Sequence, residues 1–365
     1  MNQLELAQLR IVLLAGTLGQ GGAERQLFYT LKAMRDAGMA PHLLCLTTGE
    51  YWEEPMRALG VPVTWVGQLQ ARSWRTRAIV QACRALRPQI IQSQHFYTNL
   101  YATLAARWLG AREIGAVRSS GFHDVRNTGR FMGWLSLNAP RLIAANSRKA
   151  VDYAVRQGRA TERVAYLPNV IDTAQFTPSP RAASATLRLL TVGRLEAPKR
   201  FDRLLNLLAQ FRARATRPFR LTIAGDGSLR TPLERQAQAL GLLPAHVEFC
   251  GGVSDTAPLY RAADIFLLTS DYEGTPNVVL EAMAAGLPII STNIGGVPEI
   301  LAHNVTGLMF APTDEAGFLA ALNALSEDPA RQNALGQAAR RHIESHHSLT
   351  RLPEIFAELY ARALL

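Results

Sequence analysis

Short apolar runs alternate with stretches of helical spacing along almost the whole chain. Residues 10–15 (RIVLLA) read as a buried strand and 19–24 (GQGGAE) as a glycine-rich turn. Residues 25–37 (RQLFYTLKAMRDA) then repeat apolar positions at helical spacing and stop at Gly38. Further strands are expected at 42–47, 90–94, 142–145 and 164–166, with a helix over 98–108 that ends at Gly110. Pro178, Ser179 and Pro180 break the pattern, and residues 181–186 read as an interdomain linker. A second series follows, with strands at 187–192, 220–224, 247–249, 265–269, 288–291 and 308–310. Its helices are expected at 201–213, 233–239, 277–285 and 315–326, and from about 329 to the end. Repeated βα units imply parallel, doubly wound sheets. The α/β reading therefore has two Rossmann-like domains, 1–180 and 181–345, facing across a cleft. The terminal helix, about 345–365, is expected to pack back on the first domain.

Length and composition support this reading. The 365 residues allow about two domains of ordinary size. At 48% hydrophobic and 19% charged residues the chain has the composition of a folded globular protein and not of a disordered one. No apolar run approaches the roughly 20 residues that span a bilayer, and the first residues lack the basic and apolar regions of a signal peptide. Cys45, Cys83 and Cys250 are widely separated, which argues against a disulfide framework or zinc site and fits a cytoplasmic location.

Charge adds an asymmetry. Residues 1–180 hold 21 Lys and Arg against 11 Asp and Glu, whereas residues 181–365 hold 18 of each. The net +10 thus lies in the first half, which suggests an anionic partner there. Residues 72–77 (RSWRTR) and 126–134 (RNTGRFMGW) mix arginine with aromatic side chains, as a surface for anionic headgroups would. An ordinary exposed face has the same composition.

The residues that suggest chemistry fall just after strands, where open α/β sheets bind ligands. In 273–281 (EGTPNVVLE) a strand runs into Glu273, then Gly274, Thr275, Pro276 and Asn277, then an apolar helix. Glycine permits close backbone approach, proline suits a helix start, and the free N–H groups of a helix start attract anions. Glu281 interrupts that apolar helix. A buried carboxylate needs a polar partner, either sugar hydroxyls or a neighbouring backbone N–H or arginine. In 192–202 (VGRLEAPKRFD), Arg194 and Lys199 follow another strand. Two cations at one strand end can clamp a diphosphate, or they can be two solvated charges. Gly21 and Gly22, Gly225 and Gly227, and Gly295 and Gly296 mark tight turns at strand ends. His95 follows the strand at 90–94, where it can accept a proton or bond a substrate hydroxyl.

In this order, GGAE, VGRLEAPKRFD, IAGDG, EGTPNVVLEAMAAGLPII and GGVPEI resemble the family 4 retaining glycosyltransferases of the GT-B fold. Ala145-Asn146-Ser147 and residues 167–172 (LPNVID) add to the match, which covers nearly the whole chain. The resemblance implies that Arg194 and Lys199 bind the donor diphosphate and that Glu281 holds the nucleotide ribose. It implies that Glu273, with the backbone of 274–277, holds the donor sugar. Gly21 and Gly22 would lie near the phosphates and acceptor, and His95 near the donor sugar. Two departures stand out: relatives' His-x-His is Gln-Ser-Gln-His here, and Glu273 is followed directly by Gly274.

The implied reaction retains the anomeric configuration, through an oxocarbenium-like centre and front-face attack assisted by the leaving phosphate. It needs no cofactor or metal. The implied partners are a UDP- or GDP-linked sugar and a glycan or lipid-linked acceptor in cell-surface polysaccharide synthesis, with an anionic membrane surface as a further candidate. Rival readings are a sugar-nucleotide epimerase of the same fold and a basic nucleic-acid-binding protein. Against the latter, the neutral half carries the sharpest motifs and no nucleic-acid module is present.

Overall fold

The computed structural model describes residues 1–68, 71–118, 121–179 and 184–365, and within these all side chains but those of Gln3, Arg72, Ser73, His123 and Asn127. It divides into two compact units, Met1–Val170 with Leu349–Leu365, and Ile171–Ser348. The first division precedes the proline-rich segment, of which Pro180 and residues 181–183 lie outside the described residues.

In the first unit the order is α1 (Gln3–Ala7), β1 (Ile11–Ala15), α2 (Gly22–Asp36), β2 (His42–Cys45), α3 (Glu53–Ala58), β3 (Val63–Trp65), α4 (Arg72–Leu86), β4 (Ile90–Ser93), α5 (Asn99–Leu109), β5 (Arg112–Val117), α6 (Phe122–Thr128), α7 (Arg130–Asn138), β6 (Leu142–Ala145), α8 (Arg148–Arg156) and β7 (Val164–Tyr166). The second unit contains β8 (Leu187–Val192), α9 (Phe201–Arg212), β9 (Phe219–Ala224), α10 (Arg230–Ala239), β10 (Val247–Gly251), α11 (Ala257–Ala262), β11 (Ile265–Leu268), α12 (Asn277–Ala284), β12 (Ile289–Thr292), α13 (Val297–Ile300), β13 (Leu308–Phe310), α14 (Glu315–Ser326) and α15 (Pro329–His346). The last helix, α16 (Leu352–Leu364), returns to the first unit.

Both sheets are wholly parallel among the described residues. Their orders are β3-β2-β1-β4-β5-β6-β7 and β10-β9-β8-β11-β12-β13. Strands β1, β4, β6, β11 and β12 are buried at every position, as sheets covered on both faces require. Register assigns the covering layers of the first unit. Val12 pairs with Ile91, Ile91 with Glu113, and Gly115 with Ile143, so these positions share one face. Helices α4, α5, α7 and α8 pack there, through Ile79, Cys83, Ala102, Ala105, Leu137 and Ala150. The opposite face carries α2 and α16, whose Tyr360 hydroxyl donates to Gln92 Oε1 at 2.9 Å. In the second unit, α9 and α14 bury Leu204, Leu208, Phe318 and Leu322 against Leu189, Leu221 and Ile290.

Strand order reverses once in each sheet, between β1 and β4 and between β8 and β11. Chains leaving two such neighbouring strands run to opposite sides and open a crevice at their carboxyl ends.

Candidate active site

The switch point of the second sheet joins Lys199, beyond β8, to Glu273, beyond β11. Lys199 Nζ lies 2.5 Å from Glu273 Oε1, and the Ser270 hydroxyl donates to the same oxygen at 2.8 Å. The Lys199 and Glu273 side chains are only 22% and 10% exposed, so water screens the pair weakly. Backbone bonds hold the two loops together: the Asp271 N–H donates to Pro198 O at 2.8 Å, and the Thr269 hydroxyl to Arg200 O at 3.1 Å. Asp271 takes guanidinium bonds from Arg200 at 2.6 Å and Arg203 at 2.7 Å. Burial opposes ionisation of Asp271, but these two cations outweigh it and hold its carboxyl below the usual range. Arg194 is exposed, and its backbone carbonyl accepts from the Glu196 N–H at 2.8 Å.

The glycines form the walls of these loops. A Cβ on Gly225, whose φ is +144°, would lie 1.9 Å from Gly193 O, and one on Gly227 would lie 2.6 Å from Leu195 O. Gly295, at φ +51°, would place a Cβ 1.8 Å from Glu273 O, and the Gly296 N–H donates to Gly274 O at 2.8 Å. Gly225 and Gly227 thus press on the backbone that carries Arg194, and Gly295 and Gly296 on the backbone that carries Glu273. Thr275 is nearly buried, and Pro276 is the N-cap of α12, which begins at Asn277. Glu281 is fully buried on α12, with the Thr256 hydroxyl 3.5 Å from Oε2.

The switch point of the first sheet joins the loop after β1 to His95 after β4. The Gly16 N–H donates to His95 Nδ1 at 3.0 Å, and His95 Nε2 faces Glu24 Oε1 at 3.3 Å. Because Nδ1 accepts from a backbone N–H, the neutral ring carries its proton on Nε2 and donates it to Glu24. The Gly16 bond thus fixes the tautomer in which His95 is a hydrogen-bond donor through Nε2. Burial opposes ionisation of Glu24, yet the bonds from His95 and from Thr17, at 2.6 Å, outweigh it and lower its pKa. The Glu24 carboxylate folds back over the start of α2, where a Cβ on Gly21 would lie 2.2 Å from Oε2. Glycine at the N-cap leaves room for it, and Gly22 opens the helix.

Nearby, Gln26 closes two bonds of 2.8 Å with the backbone of Val170 and pins the LPNVID segment to α2. Asn146 donates to Arg118 O at 3.1 Å, and Ser147 caps α8. Glu24, Ser270, Asp271, Arg200 and Arg203 escape the sequence reading as site residues. A signal is present for two of them, since Glu24 is an acid in a glycine-started first helical turn and Asp271 an acid at a strand end.

Two parallel sheets with reversed strand order in one chain, each with its polar cluster at the switch point, define a GT-B protein. The comparisons make it a glycosyltransferase. Residues 20–175 match Glycosyltransferase Family 4 and residues 175–342 match Glycosyl transferases group 1. The chain is 30% identical over 299 residues to a glycogen synthase of Mycobacterium tuberculosis, covering 80% of this chain and 70% of that one. It is 36% identical over 197 residues to a GDP-mannose-dependent alpha-(1-6)-phosphatidylinositol monomannoside mannosyltransferase of the same species, covering 49% of this chain and 50% of that one. Its fold is similar to that of Anabaena HepE in complex with UDP and glucose, with a TM-score of 0.83 at 18% identity over 97% of this chain and 100% of that chain. The chain belongs to the group 1, family-4-type glycosyltransferases.

Proposed function

We propose that this transferase moves a sugar, with retention of anomeric configuration, from a uridine- or guanosine-diphosphate sugar to a hydroxyl of a glycan or lipid-linked glycan in cell-surface polysaccharide synthesis. The observation that carries the reading is the Lys199–Glu273 pair at the switch point of the second sheet, 2.5 Å long and largely shielded from water. A diphosphate entering there meets Lys199, the exposed Arg194 and the N–H groups at the start of α12, which stabilise the charge that grows on the leaving phosphate. The bond from the anomeric carbon to the diphosphate oxygen breaks. The acceptor oxygen bonds to that carbon on the same face, and the acceptor proton passes to the departing phosphate. Glu273, held by Lys199 and Ser270, orients the donor sugar, and His95 turns the Nε2–H that Glu24 holds in the free protein to a sugar hydroxyl. Protein cations and backbone donors supply the positive charge, so the scheme calls for no metal or cofactor. Names of relatives support both donor bases: one is GDP-mannose-dependent and one structure holds UDP. The basic, aromatic segments of the first unit support a lipid-linked acceptor and a cytoplasmic enzyme working at the inner membrane face.

Thermal shift against UDP, GDP and their sugar conjugates tests the donor. A ligand at about 100 times its Kd stabilises the folded state by roughly 2.7 kcal/mol. One nucleotide series is expected to give the shift, and proton NMR of the product is expected to show the donor's anomeric configuration. No shift with any nucleotide overturns the reading. Interconversion of a sugar nucleotide without acceptor overturns it in favour of an epimerase.

A further inference from the structure

The charge of the first unit is concentrated on one layer of helices. Residues 72–163 hold 16 Lys and Arg against four Asp and Glu. That segment contains α4 to α8, and α4, α5, α7 and α8 cover the same face of the sheet. Their outward sides therefore point the same way, away from the strands. Contacts run from α4 to α5, from α5 to α7 and from α7 to α6, so the layer is continuous.

This layer also exposes large apolar side chains. Leu104 and Trp108 stand one turn apart on α5, and Trp108 is 75% exposed. Phe131 and Trp134 do the same on α7, with Phe131 71% exposed. Arg126 and Arg130 are exposed between and beside them. Solvent-facing aromatics of this size lose hydrophobic free energy unless something covers them.

We infer that this face docks on a bilayer rich in anionic phospholipid, with Trp108, Phe131 and Trp134 entering the headgroup region and the arginines meeting lipid phosphates. Tryptophan and phenylalanine beside arginine suit the boundary between headgroups and acyl chains. Each cation near an anionic leaflet adds to the attraction. A second copy of the chain would set this cation-rich layer, which carries ten Lys and Arg against two Asp on α4 to α8, against its own like, which disfavours self-association through this face. The location is also apt, because α6 starts at Phe122, a few residues past the carboxyl end of β5, on the edge where ligands of such sheets bind. A docked face would bring that edge to the membrane surface.

Co-sedimentation of the full chain with vesicles tests this independently of catalysis and of the donor. The probes are vesicles of pure phosphatidylcholine and vesicles with a third phosphatidylglycerol. Binding is expected only with phosphatidylglycerol, and is expected to fall sharply between about 0.1 M and 1 M salt, as the Debye length drops from about 10 Å to about 3 Å. The triple variant Trp108→Ser, Phe131→Ser, Trp134→Ser is expected to bind about tenfold or more weakly. Should it fail to fold, the pair Arg126→Glu and Arg130→Glu, which changes only exposed side chains, is expected to weaken phosphatidylglycerol binding and reduce its salt dependence. The nucleotide thermal shift serves as the folding control and should be unchanged. Absence of vesicle binding, or binding that neither variant weakens, overturns the inference. A dimer in light scattering that the aromatic variant dissociates, without vesicle binding, overturns it too and gives the face to a second copy.

Discussion

Lys199→Ala separates the two things its ammonium does. In the unliganded protein it neutralises Glu273 at 2.5 Å, and its loss leaves that carboxylate with the Ser270 hydroxyl at 2.8 Å. Breaking a fully buried pair costs 3–5 kcal/mol, but a lysine 22% exposed leaves room for water, so about 1–3 kcal/mol is expected here. A fold of ordinary stability, about 5–15 kcal/mol, stays almost entirely native after such a loss. The proposed catalytic role predicts a separate effect. Removing one donor that stabilises developing charge costs about 100- to 1,000-fold in rate. Partial unfolding cannot produce a loss of that size, so stability and turnover discriminate. The double variant Lys199→Met, Glu273→Gln removes both charges and is expected to recover most of the thermal stability while recovering none of the activity. The assay is initial-rate kcat/KM on the sugar nucleotide that passes the thermal-shift screen, beside a melting curve for each variant. If folded Lys199→Ala keeps kcat/KM within about tenfold of wild type, the lysine is a structural partner of Glu273 and not a ligand of the diphosphate.

Gly295→Ala drives a Cβ to 1.8 Å from Glu273 O at a φ of +51°, so it is expected to cost about 2–5 kcal/mol and to displace Glu273; a melting temperature equal to wild type would refute the close packing. Glu281→Gln keeps the size of a fully buried side chain and is expected to weaken nucleotide binding at least tenfold in calorimetry if a ribose reaches it, whereas unchanged affinity with a lower melting temperature would make Glu281 a core partner of Thr256. Acid stability follows from Glu24 and Asp271, whose pKa values are lower folded than unfolded. Their stabilisation is present above the unfolded values and is lost as pH falls through the folded ones, so the melting temperature of Glu24→Gln should fall less steeply than that of wild type below about pH 4.5. Parallel curves would mean that the bonds from His95 and Thr17 contribute nothing to folding.

Elements with unbroken apolar runs were legible from the sequence. Residues 142–145, 164–166, 187–192, 308–310 and 315–326 are read to the residue. Strand β5 is missed, and its composition explains why. Glu113 and Gly115 interrupt the run, and the carboxylate is buried only because Arg107, on the preceding helix, lies 3.1 Å away. Strand β3 is three residues at a sheet edge, too short for a period to show. The expected helix from 329 onward is two helices, since the backbone breaks at His347 and Ser348 to pair with Ile171 where the chain passes between units. A contact with a segment 177 residues earlier leaves no local trace in the sequence.

The same limit explains the site. Glycine, lysine and glutamate after strands are local features, and strand order places them at a switch point whenever the domain is doubly wound. Which carboxylate meets which cation is non-local. Lys199 and Glu273 are 74 residues apart, and Gly16 and His95 are 79 apart. Each pair meets because two strands of reversed order are neighbours in the sheet. The glycines then have a reason beyond turn geometry. Gly225 and Gly227 lie against the loop after β8, Gly295 and Gly296 against the loop after β11, and a Cβ at any of the four would overlap the backbone opposite. The motifs IAGDG and GGVPEI thus support the motifs VGRLEAPKRFD and EGTPNVVLE, because the sheet packs their strand ends side by side. On this account, alanine at a supporting glycine should impair the site on the loop opposite it more than anything at its own position.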